Sequence, residues 1–249
     1  MFKVINDKNN YLNVLHFQGN NKNILPKTFK LIYDNIYLNP IDKDLSIVSC
    51  WTDDSKCCLY NQLNKFNINL INALPNDYNF SSQWNMINKI KYYIDCLENK
   101  VHTKYVMLLD GYDVLFVSTD NILEKFLSMN YKIIFNTSRN NYPDETIDYI
   151  ENRFELDFFC YFNAGCCIGY KNDVLKFYKE CLNYINIYNP FNSEQKVIRT
   201  CFANYSNNKH QRFVWLDFDR RIFQTMAYTK CNYNAKTKLL TIVENYDSI

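Results

Sequence analysis

Tyr105-Val106-Met107-Leu108-Leu109 runs directly into Asp110-Gly111-Tyr112-Asp113. A short apolar run that stops at a polar turn has the form of a strand buried on both faces, as in a parallel sheet. Two carboxylates then leave the strand end within one turn. Asp-Gly is also a strong hairpin signal. Because Val114-Leu115-Phe116 continues as an apolar segment, however, both acids are set between buried runs, where an unpaired charge is costly. A cation is the expected compensation. Hard divalent ions take oxygen ligands and link protein carboxylates to substrate phosphates, so a nucleoside diphosphate is the expected third party.

Working outward, Leu45-Ser46-Ile47-Val48-Ser49-Cys50 is a second run of the same kind, and Tyr131 to Phe135 and Cys167 to Tyr170 suggest further strands. Between them, Ser82 to Leu97 carries Trp84, Ile87, Ile90, Tyr93, Ile94 and Leu97 at a 3.6-residue period, the stripe of a helix covering a sheet. Asn121 to Met129 and Asn172 to Leu182 read similarly, with Asp120 and Asn172 as helix caps. Asn-rich stretches around 61 to 72 and 204 to 208 read as loops or edges. Strands alternating with helices predict an α/β fold with a mostly parallel central sheet, and ligands of such sheets bind at the carboxyl ends of strands, where Asp110 falls. No linker or repeat divides the 249 residues, so one domain over 1–249 is expected.

The balance of 28 basic and 26 acidic residues gives no reason to expect nucleic acid as the partner. No window approaches the roughly 18 to 20 apolar residues of a membrane span, and the start Met-Phe-Lys-Val-Ile-Asn-Asp-Lys lacks a secretory apolar core, so a soluble, cytoplasmic protein is expected. The ten cysteines lack metal-finger spacing and include the adjacent pairs Cys57-Cys58 and Cys166-Cys167, which favours reduced thiols. Only four glycines serve the chain: Gly19, Gly111, Gly165 and Gly169. Three short stretches hold them, His16 to Lys22, Leu109 to Asp113 and Phe162 to Gly169, and the functional site is expected where these meet.

The stretch Leu-Leu-Asp-Gly-Tyr-Asp-Val-Leu-Phe resembles the Asp-x-x-Asp element of the glycosyltransferase domain of procollagen lysyl hydroxylases and their glycogenin-like relatives. Phe162-Asn163-Ala164-Gly165-Cys166-Cys167-Ile168-Gly169 is similar to that family's Leu-Asn-Ser-Gly-Gly-Phe-Ile-Gly, and Ser193-Glu194-Gln195 falls where it has Asp-Asp-Gln. Leu216-Asp217-Phe218-Asp219-Arg220-Arg221-Ile222-Phe223-Gln224 resembles its Leu-Asp-His-x-x-Arg-Ile-Phe-Gln. The family also carries, near the end of its domain, a His-x-x-Gly-x-x-Lys motif that completes the metal site and meets the diphosphate. Here that spacing occurs at the front, in His16-Phe17-Gln18-Gly19-Asn20-Asn21-Lys22, after an apolar Leu12 to Leu15 stretch. The resemblance then implies a circularly permuted GT-A-type domain, residues 1–25 supplying the displaced strand and motif, with the strand of Leu12 to Leu15 expected in the central sheet beside the one that ends at Asp110. The alternative is a truncated domain in which His16 is an ordinary residue.

The resemblance implies a transferase moving a hexose from a UDP-sugar, glucose with retention onto galactosyl-hydroxylysine of a collagen-like acceptor. Galactose transfer to hydroxylysine, transfer to another glycan, and an inactive transferase-like binding module are the alternatives. Asp110, Asp113 and His16 are the expected ligands of manganese, which suits a mixed oxygen and nitrogen set. Gly19 and Lys22 are expected at the diphosphate, Tyr112 at the ribose, and Ser49 and Trp51 at the uridine, with a core role for Trp51 as the competing reading. Asn163 is expected to contact sugar hydroxyls or, alternatively, to satisfy a turn. Glu194 is expected to face the donor and acceptor sugars, or else only to suit a helix N-terminus. Tyr142 of Tyr142-Pro143-Asp144 is expected at the acceptor or as a loop anchor, and Asp217 to brace the Arg220-Arg221 segment, with direct catalysis as its alternative. The family's basic residue on the helix after the first strand has no secure match: Lys89 and Lys91 lie farther along than expected.

Overall fold

The computed structural model describes residues 2–17, 25–75, 78, 87–142, 160–188, 193–206, 212–227 and 229–244. The strands are β1 (Lys3–Asn6), β2 (Val14–His16), β3 (Leu45–Cys50), β4 (Leu70–Asn72), β5 (Tyr105–Asp110), β6 (Val114–Phe116), β7 (Ile133–Ser138), β8 (Tyr161–Tyr170), β9 (Val214–Leu216), β10 (Phe223–Thr225), β11 (Thr229–Asn234) and β12 (Leu239–Glu244). The helices are α1 (Leu25–Asn35), α2 (Cys58–Lys65), α3 (Asn88–Asn99), α4 (Ile122–Met129), α5 (Lys171–Tyr188) and α6 (Glu194–Ser206).

The central sheet has the order β4-β3-β5-β8-β7-β9. All of its strands run in one direction except β8, which is antiparallel to both neighbours. This is the mostly parallel sheet that the apolar runs predict. Alternation along β5 divides the core into two layers, because successive strand residues point to opposite faces. Tyr105, Met107 and Leu109 join the cluster that includes Leu59 and Leu63 of α2 and Phe126 of α4. Val106 and Leu108 join the other, with Ile90, Tyr93 and Leu97 of α3, Phe177 of α5 and Phe202 of α6. Asp110 continues the second alternation and so emerges on the face covered by α3 and α6.

Two smaller sheets complete the fold. β2 lies between β10 and β6, parallel to the first and antiparallel to the second. β12 lies between β1, to which it is parallel, and β11. The front of the chain is therefore knitted to its last strands twice over.

Several local expectations are corrected. The front strand begins at Val14 rather than Leu12, and it joins the small β10-β2-β6 sheet instead of the central sheet beside β5. The cause is β6: the chain turns away from β5 after Asp110-Gly111, and β6 offers β2 its own edge. Asn13, buried just ahead of β2, spends its amide on the carbonyls of Ser118 and Asp120. Asp120 does not cap α4, because its carboxylate accepts from Asn39 (2.8 Å) and left-handed Asn121 (φ 55°) leads into the helix. Asn172 lies inside α5, which starts at Lys171 directly after β8. Asn61 and Asn64 belong to α2, not a loop, since Leu59, Gln62 and Leu63 bury one helical face. The ten cysteines are free thiols. Among the described residues no helix is long and apolar enough to cross a membrane.

Candidate active site

The tertiary arrangement brings one end of β2 to the end of β5. Asp113 directly precedes β6, and the antiparallel pairing of His16 with Val114, together with a hydrogen bond from the Phe17 amide to the Asp113 carbonyl (2.8 Å), delivers the imidazole beside that turn. His16 Nε2 lies 3.6 Å from Asp110 Oδ2 and 3.6 Å from Asp113 Oδ1. One ligand atom from each of the three side chains falls within 4.8 Å of the others. His16 is buried, which lowers its pKa, but Asp113 and then Asp110 outweigh that burial and hold it above the ordinary histidine value.

Gly165 makes room for this cluster. A Cβ there would stand 2.4 Å from His16 Cε1 and 2.7 Å from Asp110 Oδ2. The glycine sits where β8 carries extra residues against β7: Phe135 pairs with Cys167 but Asn136 pairs with Asn163. This bulge is why Asn163 to Gly165 reads as a turn in sequence although it lies within a strand. Gly165→Ala is accordingly expected to weaken divalent-ion binding about 10-fold or more, the scale of disturbing the support of a ligand, while far-UV circular dichroism stays native. Titration with Mn²⁺ followed by electron paramagnetic resonance reads the effect, and unchanged affinity would mean that the imidazole and carboxylate do not need this space.

On the other side of Asp110 stands a buried lysine. Lys89, from the first turn of α3, donates to Asp110 Oδ1 and lies 3.5 Å from Glu194 Oε1 at the start of α6. Burial pulls the Lys89 ammonium down, yet Asp110 and Glu194 together hold it well above its ordinary value. Burial raises Glu194, Lys89 opposes the rise and Asp110 adds to it, leaving this carboxyl above the usual glutamate range. The two acids share one ammonium.

The remaining expected residues are partly gathered here. Asn163 is buried with its carbonyl oxygen accepting from the Gly165 amide (2.9 Å), so it braces the bulge. Tyr112 is partly exposed, and its hydroxyl accepts from the Thr52 amide (2.9 Å) and pairs with the Thr52 hydroxyl (2.8 Å), forming a rim across the ends of β3 and β5. Ser49 is buried beneath that rim, 3.0 Å from where a Cβ on Gly111 would lie, and among the described residues its hydroxyl has no hydrogen-bond partner. Trp51 is core: it stacks on Tyr60 (5.5 Å, 27°), and its indole donates to Asp54 (2.5 Å). Tyr142 exposes its ring while its carbonyl accepts from Gln195 (2.7 Å) and Arg199 (3.5 Å) of α6. Asp217 is buried and accepts three backbone N–H bonds, from Arg221, Ile222 and Phe223. Gly19, Lys22, Pro143 and Asp144 lie outside the described residues.

Sequence reasoning left two residues of this site unassigned. Lys89 carried a usable signal, a lysine inside an apolar helical stripe, which is costly unless an acid meets it. Asn136, whose amide nitrogen faces His16 Nδ1 at 3.4 Å, carried none, because its neighbours come from strands remote in sequence.

The site lies largely within the part of the chain that a known family describes. The family model for the PLOD GT domain matches residues 85–246, more than half of the chain. This chain belongs to the PLOD GT domain family. It is thus a glycosyltransferase of the collagen glycosyltransferase family. The region matched to the PLOD GT domain contains Lys89, Asp110, Asp113, Asn163, Glu194 and Asp217, while His16, Ser49 and Trp51 precede it. No curated protein matches the chain. The donor set fits the divalent ion that GT-A-like transferases commonly use: two carboxylate oxygens and an imidazole nitrogen converge, and Gly165 leaves the space beside them clear.

Proposed function

We propose that this chain transfers glucose from UDP-glucose to galactosyl-hydroxylysine of a collagen-like protein, with Mn²⁺ held by Asp110, Asp113 and His16. The convergence of these three side chains at the end of β5, in a member of a glycosyltransferase family, carries the reading. The ion, when bound, supplies Lewis-acid neutralisation of the charge that grows on the departing UDP. Its nitrogen ligand favours manganese over magnesium.

The protein groups divide the rest of the work. Lys89 keeps a buried positive charge at the edge of the cluster, where a preorganised cation is worth more than in water. Glu194, held beside Lys89, faces the transferred sugar and its acceptor. The Tyr112–Thr52 rim and the unpartnered Ser49 hydroxyl receive the nucleoside, and Trp51 backs that wall from the core instead of stacking on the base. Asn163 shapes the sugar pocket through the Gly165 bulge, and the exposed Tyr142 ring meets the acceptor. Gly19 and Lys22, just beyond His16 in sequence, meet the diphosphate. The front segment is a circular permutation of the family's closing strand and motif, which the pairing of β1 with β12 and of β2 with β10 supports.

Release of UDP by the purified chain with Mn²⁺, either hexose donor and a galactosyl-hydroxylysine peptide tests the proposal. Faster turnover of UDP-glucose with sugar added to the peptide is expected. Faster turnover of UDP-galactose, or donor hydrolysis with no sugar on any collagen-type peptide, would overturn the specific assignment. Donor binding without hydrolysis or transfer would make the chain a binding module.

A further inference from the structure

Behind the imidazole of His16 lies a fully buried polar network whose Asn136 and Thr225 the catalytic reading does not use. Asn136, at the β7 side of the bulge, accepts the Thr137 amide proton through Oδ1 (2.8 Å). That backbone N–H can only donate, so it fixes which end of the carboxamide faces which way. The amide nitrogen consequently points into the network: 2.9 Å from Thr225 Oγ1, 3.4 Å from His16 Nδ1 and 3.5 Å from Asn163 Oδ1. One N–H serves Thr225, and the other is shared between His16 and Asn163. Thr225 in turn donates to the Thr137 carbonyl (2.5 Å), so its oxygen is free to accept.

We infer that Asn136 is a positioning residue that sets the tautomer of His16 and thereby moderates the cluster's affinity for a divalent cation. Facing an N–H donor, His16 Nδ1 accepts, and the ring proton resides on Nε2, directed at Asp110 and Asp113. A cation ligated through Nε2 needs that nitrogen bare. The proton must then move to Nδ1, where it confronts the Asn136 amide donor unless the amide turns over and surrenders its bond to Thr137. Histidine ligands in metal sites are ordinarily backed by an acceptor, whereas this chain presents a donor, so the supporting shell opposes ligation. An aspartate at 136 reverses the bias: one oxygen keeps the Thr137 amide, and the other accepts from Nδ1–H and from the Thr225 hydroxyl, which turns to it from the Thr137 carbonyl.

The inference rests on the metal reading of the cluster, but one arm of its test needs no ion. In metal-free protein labelled with ¹⁵N-histidine, in mildly alkaline buffer and with His16→Gln to assign the signal, His16 is expected as the Nε2–H tautomer. Asn136→Asp is expected to move the proton to Nδ1. Finding Nδ1–H or imidazolium in the unsubstituted protein overturns the inference, even if Asn136→Asp fails to fold. In the second arm, Asn136→Asp is expected to bind Mn²⁺ about 10-fold more tightly, the size of effect that supporting partners have on ligating histidines. Unchanged or weaker binding by a folded Asn136→Asp protein also overturns it, since a merely structural asparagine would give that result. If the tautomer is as expected but neither protein binds a divalent ion, the metal reading fails while the tautomer assignment stands.

Discussion

Asp110→Ala and Asp113→Ala are each expected to lower metal-dependent sugar transfer by at least about 10³-fold, the scale of several kcal/mol of Lewis-acid stabilisation. Both proteins should remain folded, Asp110→Ala at reduced stability because the buried Lys89 ammonium then keeps only Glu194. The two aspartates lie at the water-facing end of β5 and its turn, whereas Leu108, Leu109 and Val114 beside them are buried and carry the packing. The cluster supplies one ligand atom per side chain, so removal of either carboxylate leaves two ligands and no closed set. UDP release at saturating donor, with circular dichroism as the control for folding, gives the result directly. Undiminished turnover in Mn²⁺ by either variant would remove the metal site from the mechanism. Unfolding of both variants would instead assign the two acids to the architecture.

Lys89→Met should have the largest effect on stability, with transfer falling as well. The ammonium is buried between Asp110 and Glu194, and breaking a buried pair typically costs 3–5 kcal/mol because a charge is left uncompensated. A loss of about 3 kcal/mol is expected, at the low end of that range, since Asp110 keeps part of its side chain in water. The same logic gives a sharper signature. With the lysine gone, a bound divalent ion becomes the principal positive charge near Asp110, so Mn²⁺ should raise the melting temperature of Lys89→Met more than that of the unsubstituted chain. Equal shifts in the two proteins would show that the lysine and the ion do not share this carboxylate.

Much of the frame around these residues is legible in the amino-acid sequence. The strand runs at Leu45 and Tyr105 are found at Leu45–Cys50 and Tyr105–Asp110, because a strand buried on both faces must be apolar throughout and must stop where polarity begins. Helix α3 is visible through Ile90, Tyr93 and Leu97, which share one face at helical spacing. Short strands are less legible. β6, β9 and β10 have three residues each, too few to show a period. The small β10-β2-β6 sheet is hard to read for that reason: Val114 to Phe116 and Leu12 to Leu15 show only as short apolar stretches, and nothing local tells β2 its partners.

For the site, the amino-acid sequence alone determined the chemical types and their local settings: two acids leaving a buried strand, a histidine ahead of a glycine and a lysine, and glycines where side chains would obstruct. Those are properties of neighbours along the chain, where period and polarity act. Only the tertiary structure decided that His16 meets Asp110 and Asp113, that Lys89 is shared by Asp110 and Glu194, and that Asn136 turns its amide donor toward the imidazole. Each of these contacts joins strands or helices far apart in sequence. Their geometry follows from strand register and from which face of β5 carries the last residue, and neither can be read from one segment without the partner it packs against.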